Sequence, residues 1–331
     1  MTRRFNFLLS GLTLLPLMMP ASLTKVSIAT SAAAIISSSQ KVNANERYNF
    51  YFDRGNKKYT RGDLSGAIED FTKAINIDSQ DANAFYNRAL AKYDSEDYSG
   101  AIADYTSAIK INPNDEDFYF NRGLSYIDSG DNKKAIKDYT KFIKLNPEDA
   151  SAYYNRGVSK DNLEDFKGAI KDYTKAIEID PNYVNAYVNR GLIKDNLEDF
   201  KGAIKDFDAA IKLEPEDDLA LYNRAISRGN LEDYYGEISD YNKAIKINPN
   251  VPEYFNNRGY AKELINDFDG AIADYTAAIN LDSEYVLSYY NRGMLLGSMD
   301  DMDGACKDWR KAASLGEITW LELLIKMKLK I

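Results

Sequence analysis

Histidine is absent from all 331 residues, and cysteine occurs once, at Cys306. Without histidine the chain lacks the commonest general base and the commonest metal ligand. Zinc chemistry and the Ser–His and Cys–His pairs of nucleophilic catalysis are therefore not expected. One cysteine cannot close an intrachain disulfide, so oxidation adds nothing to stability within the chain. No glycine-rich phosphate loop, metal-ligand cluster or nucleophile motif is found, and no cofactor or metal is expected. Asn-x-Ser/Thr is also missing although asparagine is abundant, which leans away from a eukaryotic secretory route and towards a bacterial one.

Acid is missing from the first 44 residues, which carry Arg3, Arg4, Lys25 and Lys41. Arg3-Arg4 precedes an apolar stretch from Phe5 to Leu23 and an alanine-rich one from Val26 to Ile36. A basic start, an apolar middle and a small-residue end read as an export signal. Val42-Asn43-Ala44 is the preferred cleavage site, giving a protein exported to a periplasm or another extracytoplasmic compartment. Cleavage near Ala21, or none at all with the segment kept as an N-terminal membrane anchor, stand as alternatives. Pro16, Pro20 and the shortness of the run weigh against the anchor. Thr2-Arg3-Arg4 resembles the start of a twin-arginine signal, but Asn6 stands where a large apolar residue is usual. Without these residues, 38 Lys and Arg face 51 Asp and Glu, a body near −13. Such a body repels phosphate backbones and anionic lipid, so no nucleic-acid partner is expected.

What is present is repetition. Arg54, Arg88, Arg122, Arg156, Arg190, Arg224, Arg258 and Arg292 recur every 34 residues. Seven follow asparagine and each precedes Gly or Ala. Residues 160–172 and 194–206 are identical, the mark of a late duplication. Each copy reads as a helical hairpin. One hairpin cannot bury its own apolar face, whereas eight stacked hairpins bury a continuous core. An aspartate recurs at every hairpin turn, from Asp63 and Asp97 to Asp301, and is expected to cap the second helix. Pro113, Pro147, Pro181, Pro215 and Pro249 should end that helix.

In the fourth copy Tyr153, Gly157, Ala169, Tyr173, Ala176 and Pro181 stand at the spacings of the tetratricopeptide (TPR) motif. The chain thus resembles the TPR family over residues 48–319. The resemblance implies an all-α, right-handed α-solenoid of helix-turn-helix repeats: 48–81, 82–115, 116–149, 150–183, 184–217, 218–251, 252–285 and 286–319. Gly157 and Ala169 are small where the two helices cross, and Tyr153 and Tyr173 fill the wider gaps. Glu237 and Phe142 stand where the other copies have alanine and are expected to alter the angle between repeats, unless the sites absorb them without consequence.

Each arginine has an aspartate sixteen residues on: Asp70, Asp104, Asp138, Asp172, Asp206, Asp240, Asp274 and Asp308. Across a hairpin that turns midway, such residues lie at equal height. An internal Arg–Asp ladder is therefore expected, with an anion-binding row of arginines as the alternative.

The first helix of a TPR unit lines the concave face, and three rows fall on it. One is aromatic: Phe52, Tyr86, Phe120, Tyr154, Tyr222 and Tyr290, broken by Val188 and Asn256. The next is Asn87, Asn121, Asn155, Asn189, Asn223, Asn257 and Asn291. The third is polar to acidic: Asp94, Asp128, Asn162, Asn196 and Asn230, with Asp161 and Asp195 beside it. The asparagine row resembles the ladder in the TPR superhelix of O-linked N-acetylglucosamine transferases, which implies a grip on the backbone of an extended peptide. Asparagine is also simply common at this place in TPR units. The acidic row points to a partner with basic side chains, or to a solvated acidic surface. Chaperone-binding TPR domains use Lys, Asn, Asn, Lys and Arg over three repeats. Phe52, Asn56, Asn87, Asp117 and Asn121 stand there, so the three cationic positions fail and that activity is not expected.

Residues 320–331 place Trp320, Leu324, Met327 and Ile331 on one helical face and end in Lys326, Lys328 and Lys330. They read as a C-terminal capping helix over the eighth repeat, or as a dimer contact or membrane-surface element. Cys306 is expected to be buried in the last repeat. The repeats and flanking segments leave no stretch for a catalytic domain. The function expected is a non-catalytic protein- or peptide-binding scaffold that uses the concave groove. The alternative is an accessory subunit of an envelope complex docking through its convex face and C-terminal helix. The membrane enters only through an uncleaved N-terminus or that helix. The sequence leaves the oligomeric state open.

Overall fold

The computed structural model describes residues 28–316, which form sixteen helices and no strand. They are α1 (28–60), α2 (64–77), α3 (82–94), α4 (98–111), α5 (116–128), α6 (132–145), α7 (150–161) and α8 (166–179). The series continues with α9 (184–196), α10 (200–213), α11 (218–230), α12 (234–247), α13 (252–264), α14 (268–281), α15 (286–298) and α16 (302–314). From α3 onward each odd helix and its even successor restart 34 residues after the previous pair. The helix α1 runs through the expected cleavage site at 42–44. Residues 1–27, with most of the apolar leader, and the capping segment 320–331 lie outside the described residues.

Local chemistry sets the helix ends. Asp63, Asp97, Asp131, Asp165, Asp199, Asp233, Asp267 and Asp301 each N-cap a second helix and accept a hydrogen bond from the backbone N–H three residues on. Such a cap is worth about 1 kcal/mol. The residue before each cap takes the left-handed conformation: Gly62 and Gly130 in two turns, Glu96, Glu164, Glu198, Glu232, Asn266 and Asp300 in the others. The five prolines stand two residues beyond the second helices and keep them from continuing.

Within each hairpin a small residue of the first helix lies against a ring of the second. A Cβ added at Gly157 would meet Cε1 of Tyr173 at 2.7 Å, and one at Gly191 would meet Cε1 of Phe207 at 2.9 Å. Phe71, Tyr105, Tyr139, Tyr173, Phe207 and Tyr275 are fully buried at this level. Burying a phenylalanine ring stabilises by about 1.5–3 kcal/mol, so this column is the spine of the core. A second set of ring contacts lies at the joints towards the next repeat. There Tyr86 packs on Phe118, Phe120 on Phe142, Tyr154 on Tyr183 and Tyr222 on Tyr254, with ring centroids 5.0–5.2 Å apart. Phe142 thus supplies from its own second helix the ring that Phe118, Tyr183 and Tyr254, before or within the next first helix, supply at other joints, where alanine stands opposite. Glu237 is also accommodated by a paired change. Its carboxylate lies against Gly229, where an added Cβ would be 2.6 Å from Oε2.

In five of the seven joints a first helix comes close to the first helix of the next repeat: α1 to α3, α3 to α5, α5 to α7, α9 to α11 and α13 to α15. No pair of second helices approaches as near. The stack therefore curves with the odd helices inside and the even helices outside.

Candidate peptide-binding groove

All eight arginines of the ladder meet their aspartates. In every pair Nε and one terminal nitrogen donate to the two carboxylate oxygens at 2.5–2.9 Å. This side-on fork is the strong form of the contact. The aspartates are buried. The ladder thus sits inside the hairpins and is not an anion-binding row.

The other terminal nitrogen reaches a residue sixteen positions earlier, on the second helix of the preceding repeat. Arg88, Arg122, Arg156, Arg190 and Arg292 donate there to Thr72, Thr106, Thr140, Thr174 and Thr276 at 2.8–3.2 Å. Arg224 and Arg258 donate to Asp208 and Asn242 instead. Each of these arginines therefore fixes its own hairpin and the joint before it. The sequence signal was a threonine two places after the ladder aspartate, interrupted at 208 and 242. A further cation also went unread. Lys58, Lys92, Lys160, Lys194, Arg228 and Lys262 make a second ion pair with the same aspartates at 2.7–2.9 Å. In the third repeat Tyr126 stands at that place, and Asp138 is left with Arg122 alone. The consequence is electrostatic. Arg54 foremost, with Lys58, holds the Asp70 carboxyl at about 2, whereas burial raises that of Asp138 against the pull of Arg122.

The inner rows are tied to one another across the joints. Asn121, Asn189 and Asn257 donate to the hydroxyls of Tyr86, Tyr154 and Tyr222 in the preceding repeat at 3.1–3.2 Å. Asn87 donates to Asn56 and Asn291 to Asn256, at 3.0 and 3.1 Å. The aromatic row also packs inward: Phe52, Tyr86, Phe120, Tyr154 and Tyr222 lie 5.6–5.9 Å from Phe71, Tyr105, Tyr139, Tyr173 and Tyr241. Tyr290 packs against the core of the last hairpin. These rings are half-buried.

Two asparagines differ. The side-chain amides of Asn155 and Asn223 are half-buried and make no hydrogen bond among the described residues. The residue at the place of the tyrosine is Phe120 for the first and Val188 for the second, and neither carries a hydroxyl. The acidic row is partly engaged as well. Tyr59 donates to Asp94 at 2.6 Å, Tyr93 to Asp128 and Ser227 to Asp195 at 2.5 Å. Asn162 donates to Asn132 at 3.2 Å, and burial raises the Asp161 carboxyl. Asn196 and Asn230 lie at the groove ends of α9 and α11. Cys306 is half-buried, more open than expected.

Models of the tetratricopeptide repeat match residues 150–183, 184–217 and 252–285. A model described as TPR repeat matches 55–95, 90–130 and 123–160. Among solved structures, the C-terminal part of a TPR repeat-containing protein from Cytophaga hutchinsonii is 17% identical, with a TM-score of 0.64. That match covers 74% of this chain and 100% of the other. A tetratricopeptide repeat protein from Parabacteroides merdae is 19% identical over 79% of this chain and 99% of that one, with a TM-score of 0.55. At these identities the likeness is one of fold. YrrB, a TPR protein with an unusual peptide-binding site, is 25% identical over 54% of this chain and 92% of its own, with a TM-score of 0.48. No curated protein matches the chain.

Proposed function

The chain belongs to the tetratricopeptide-repeat family, and on that premise we propose that it is a non-catalytic scaffold gripping an extended peptide along its inner groove. One observation carries the reading. Of seven inner asparagines, five are held by protein partners and two, Asn155 and Asn223, present free amides. An amide gives a peptide group both a donor and an acceptor, and so binds backbone of any sequence. The two lie two repeats apart, about 20 Å at the usual distance between packed helices. An extended peptide covers that in about six residues. Asp94, Asp128, Asp161 and Asp195 favour a peptide with basic side chains. The acid-free, apolar N-terminal segment favours action outside the cytoplasm.

The test uses the full chain and photo-crosslinkable decapeptides of extended, basic sequence. In Asn155→Ala/Asn223→Ala, capture should fall at least tenfold, roughly the loss of one to two hydrogen bonds to an otherwise desolvated partner. Asn189→Ala breaks the bond to Tyr154 and should lower the melting temperature more than it lowers capture. Undiminished capture by the double variant would sink the assignment of these two amides.

A further inference from the structure

The outer face carries a feature that the groove does not explain. Lys133, Lys167 and Lys201 are the second residues of α6, α8 and α10, and Lys137, Lys171 and Lys205 follow one turn later. All six are exposed, and none has an ion-pair partner among the described residues. The lysines of these helices that do form ion pairs are Lys134 and Lys175. The equivalent places elsewhere hold Ser65, Ser99, Tyr235, Asp269 and Asp303 in the first row, and Glu69, Ala103, Ser239, Ala273 and Lys307 in the second. Lysine in both rows is thus confined to three adjacent repeats, with Lys307 alone in the eighth, in a chain with net charge −9. The first row also sits where a helix disfavours cations, because the N-terminal turn carries partial positive charge. Asp269 and Asp303 follow that rule and the three lysines break it, as residues kept for binding do.

Two neighbours add to the field. Leu163 and Leu197, at the hairpin turns of repeats 4 and 5, are 41% and 49% exposed; the same place holds Arg61, Ser95 and Ser129 in repeats 1–3 and Leu231, Ile265 and Met299 in repeats 6–8, so only in repeats 4 and 5 do an apolar turn and both lysines coincide. A cleft of about 410 Å³ is lined by Lys171, Lys175, Arg156 and Tyr153, and its two acids are already paired, Asp172 with Arg156 and Glu178 with Lys175. The turn acids Glu164 and Glu198 border the field. Screening over about 8–10 Å lets the lysines act locally despite the acidic whole.

We propose that the outer face of repeats 3–5 docks on an anionic lipid bilayer, with the lysines at the level of the phosphates and Leu163 and Leu197 inserted beside them. Lysine is a flexible point charge suited to a field of phosphates, and none of the six is the arginine that reads one planar group. Nucleic acid fits less well. The nearby rings Tyr119, Tyr153 and Tyr187 already hold the guanidinium groups of Arg122, Arg156 and Arg190 at 5.4–5.9 Å, which leaves no free platform for bases. A flat bilayer meets a convex stack tangentially, at a few neighbouring repeats, as the lysines are distributed. An acidic protein would need the lysines alone, whereas a bilayer also uses the exposed leucines.

The experiment is flotation of the full chain with vesicles of phosphatidylcholine, alone or mixed equally with phosphatidylglycerol. Any insertion of the apolar N-terminus contributes to both, so the difference reads the lysines. The wild type should prefer anionic vesicles, and added salt should erase the preference. Lys137→Glu/Lys171→Glu/Lys205→Glu should reduce the preference on the order of 100-fold. Lys243→Glu/Lys246→Glu/Lys307→Glu, with the same change in net charge, should retain it. Leu163→Ser/Leu197→Ser should weaken vesicle binding and leave binding of soluble polyglutamate unchanged. Circular dichroism confirms that each variant is folded. The proposal is overturned by equal binding to both vesicles, by equal loss in the two lysine triples, or by leucine variants that bind anionic vesicles as the wild type does. It is also overturned if duplex DNA or polyglutamate binds the wild type as tightly as the anionic vesicles.

Discussion

Asp138 and Asp172 occupy the same place in successive repeats but keep different company. Asp172 has Arg156 and Lys160; Asp138 has only Arg122. Removing one partner of a buried ion pair leaves an uncompensated charge and costs about 3–5 kcal/mol. Arg122→Ala should reach that range in urea unfolding, while Arg156→Ala should cost about half as much because Lys160 remains. Equal losses would mean that the second cation does not matter. The Arg–Asp pairing was legible because spacing within a hairpin fixes it. The threonine at the far side was not, because it depends on how one repeat docks on the next. Glu237 makes the same point. Its place in the crossing was readable, but the glycine that receives it, Gly229, is a separate substitution in the facing helix. Burial foremost, with Asp233, pushes the Glu237 carboxyl up to about 7, from about 4.3 in an unfolded chain. At pH below 4 both states hold the proton and nothing is lost. As pH rises from 4 to 7 the unfolded state releases it first, so stability falls, levelling above 7 at a loss of about 3–4 kcal/mol. Glu237→Gln removes this slope. Its melting temperature should therefore gain on the wild type between pH 5 and pH 8, and a constant offset over that interval would contradict the burial argument.

The hairpin turn is the element the sequence defined best, since the capping aspartate recurs without exception and marks each second helix within a residue. Its weakness is the residue just before the cap. Glu96, Glu164, Glu198 and Glu232 hold φ between 60° and 65°, a region where a Cβ costs roughly 1–2 kcal/mol. Gly62 and Gly130 do the same job with φ of 81° and 83° and no Cβ. Glycine gives back part of this gain through the greater freedom of its unfolded chain. Glu164→Gly and Glu198→Gly should each raise stability by about 0.5–1 kcal/mol in thermal or urea unfolding, and Gly130→Glu should lower it by a similar amount. Among the described residues, no hydrogen bond of these glutamate side chains opposes the change. Gains in all turns but one would point to a tertiary contact of that glutamate.

At the scale of the whole stack, the joints are not equal. The Tyr–Asn bond closes the joints between repeats 2 and 3, 4 and 5, and 6 and 7, and is missing between 3 and 4 and between 5 and 6. The period of 34 foretold a groove with seven equivalent asparagines. It did not foretell the alternation, because whether an amide is free depends on an acceptor in the preceding repeat: a tyrosine hydroxyl for Asn121, Asn189 and Asn257, an asparagine for Asn87 and Asn291, and none where Phe120 and Val188 stand. In a nearest-neighbour solenoid the stability of the array is a sum of repeat and joint contributions. The two open joints therefore give up stability where they leave amides for a ligand. Phe120→Tyr tests this link directly, since it adds one hydroxyl where Asn155 can donate to it. The joint should gain about 1 kcal/mol, seen as slower amide exchange in α5 and α7. Peptide capture should fall, because the amide that held the ligand now holds the protein. A gain in stability with capture unchanged would separate the joint from the binding site, and the alternation would then be a matter of packing alone.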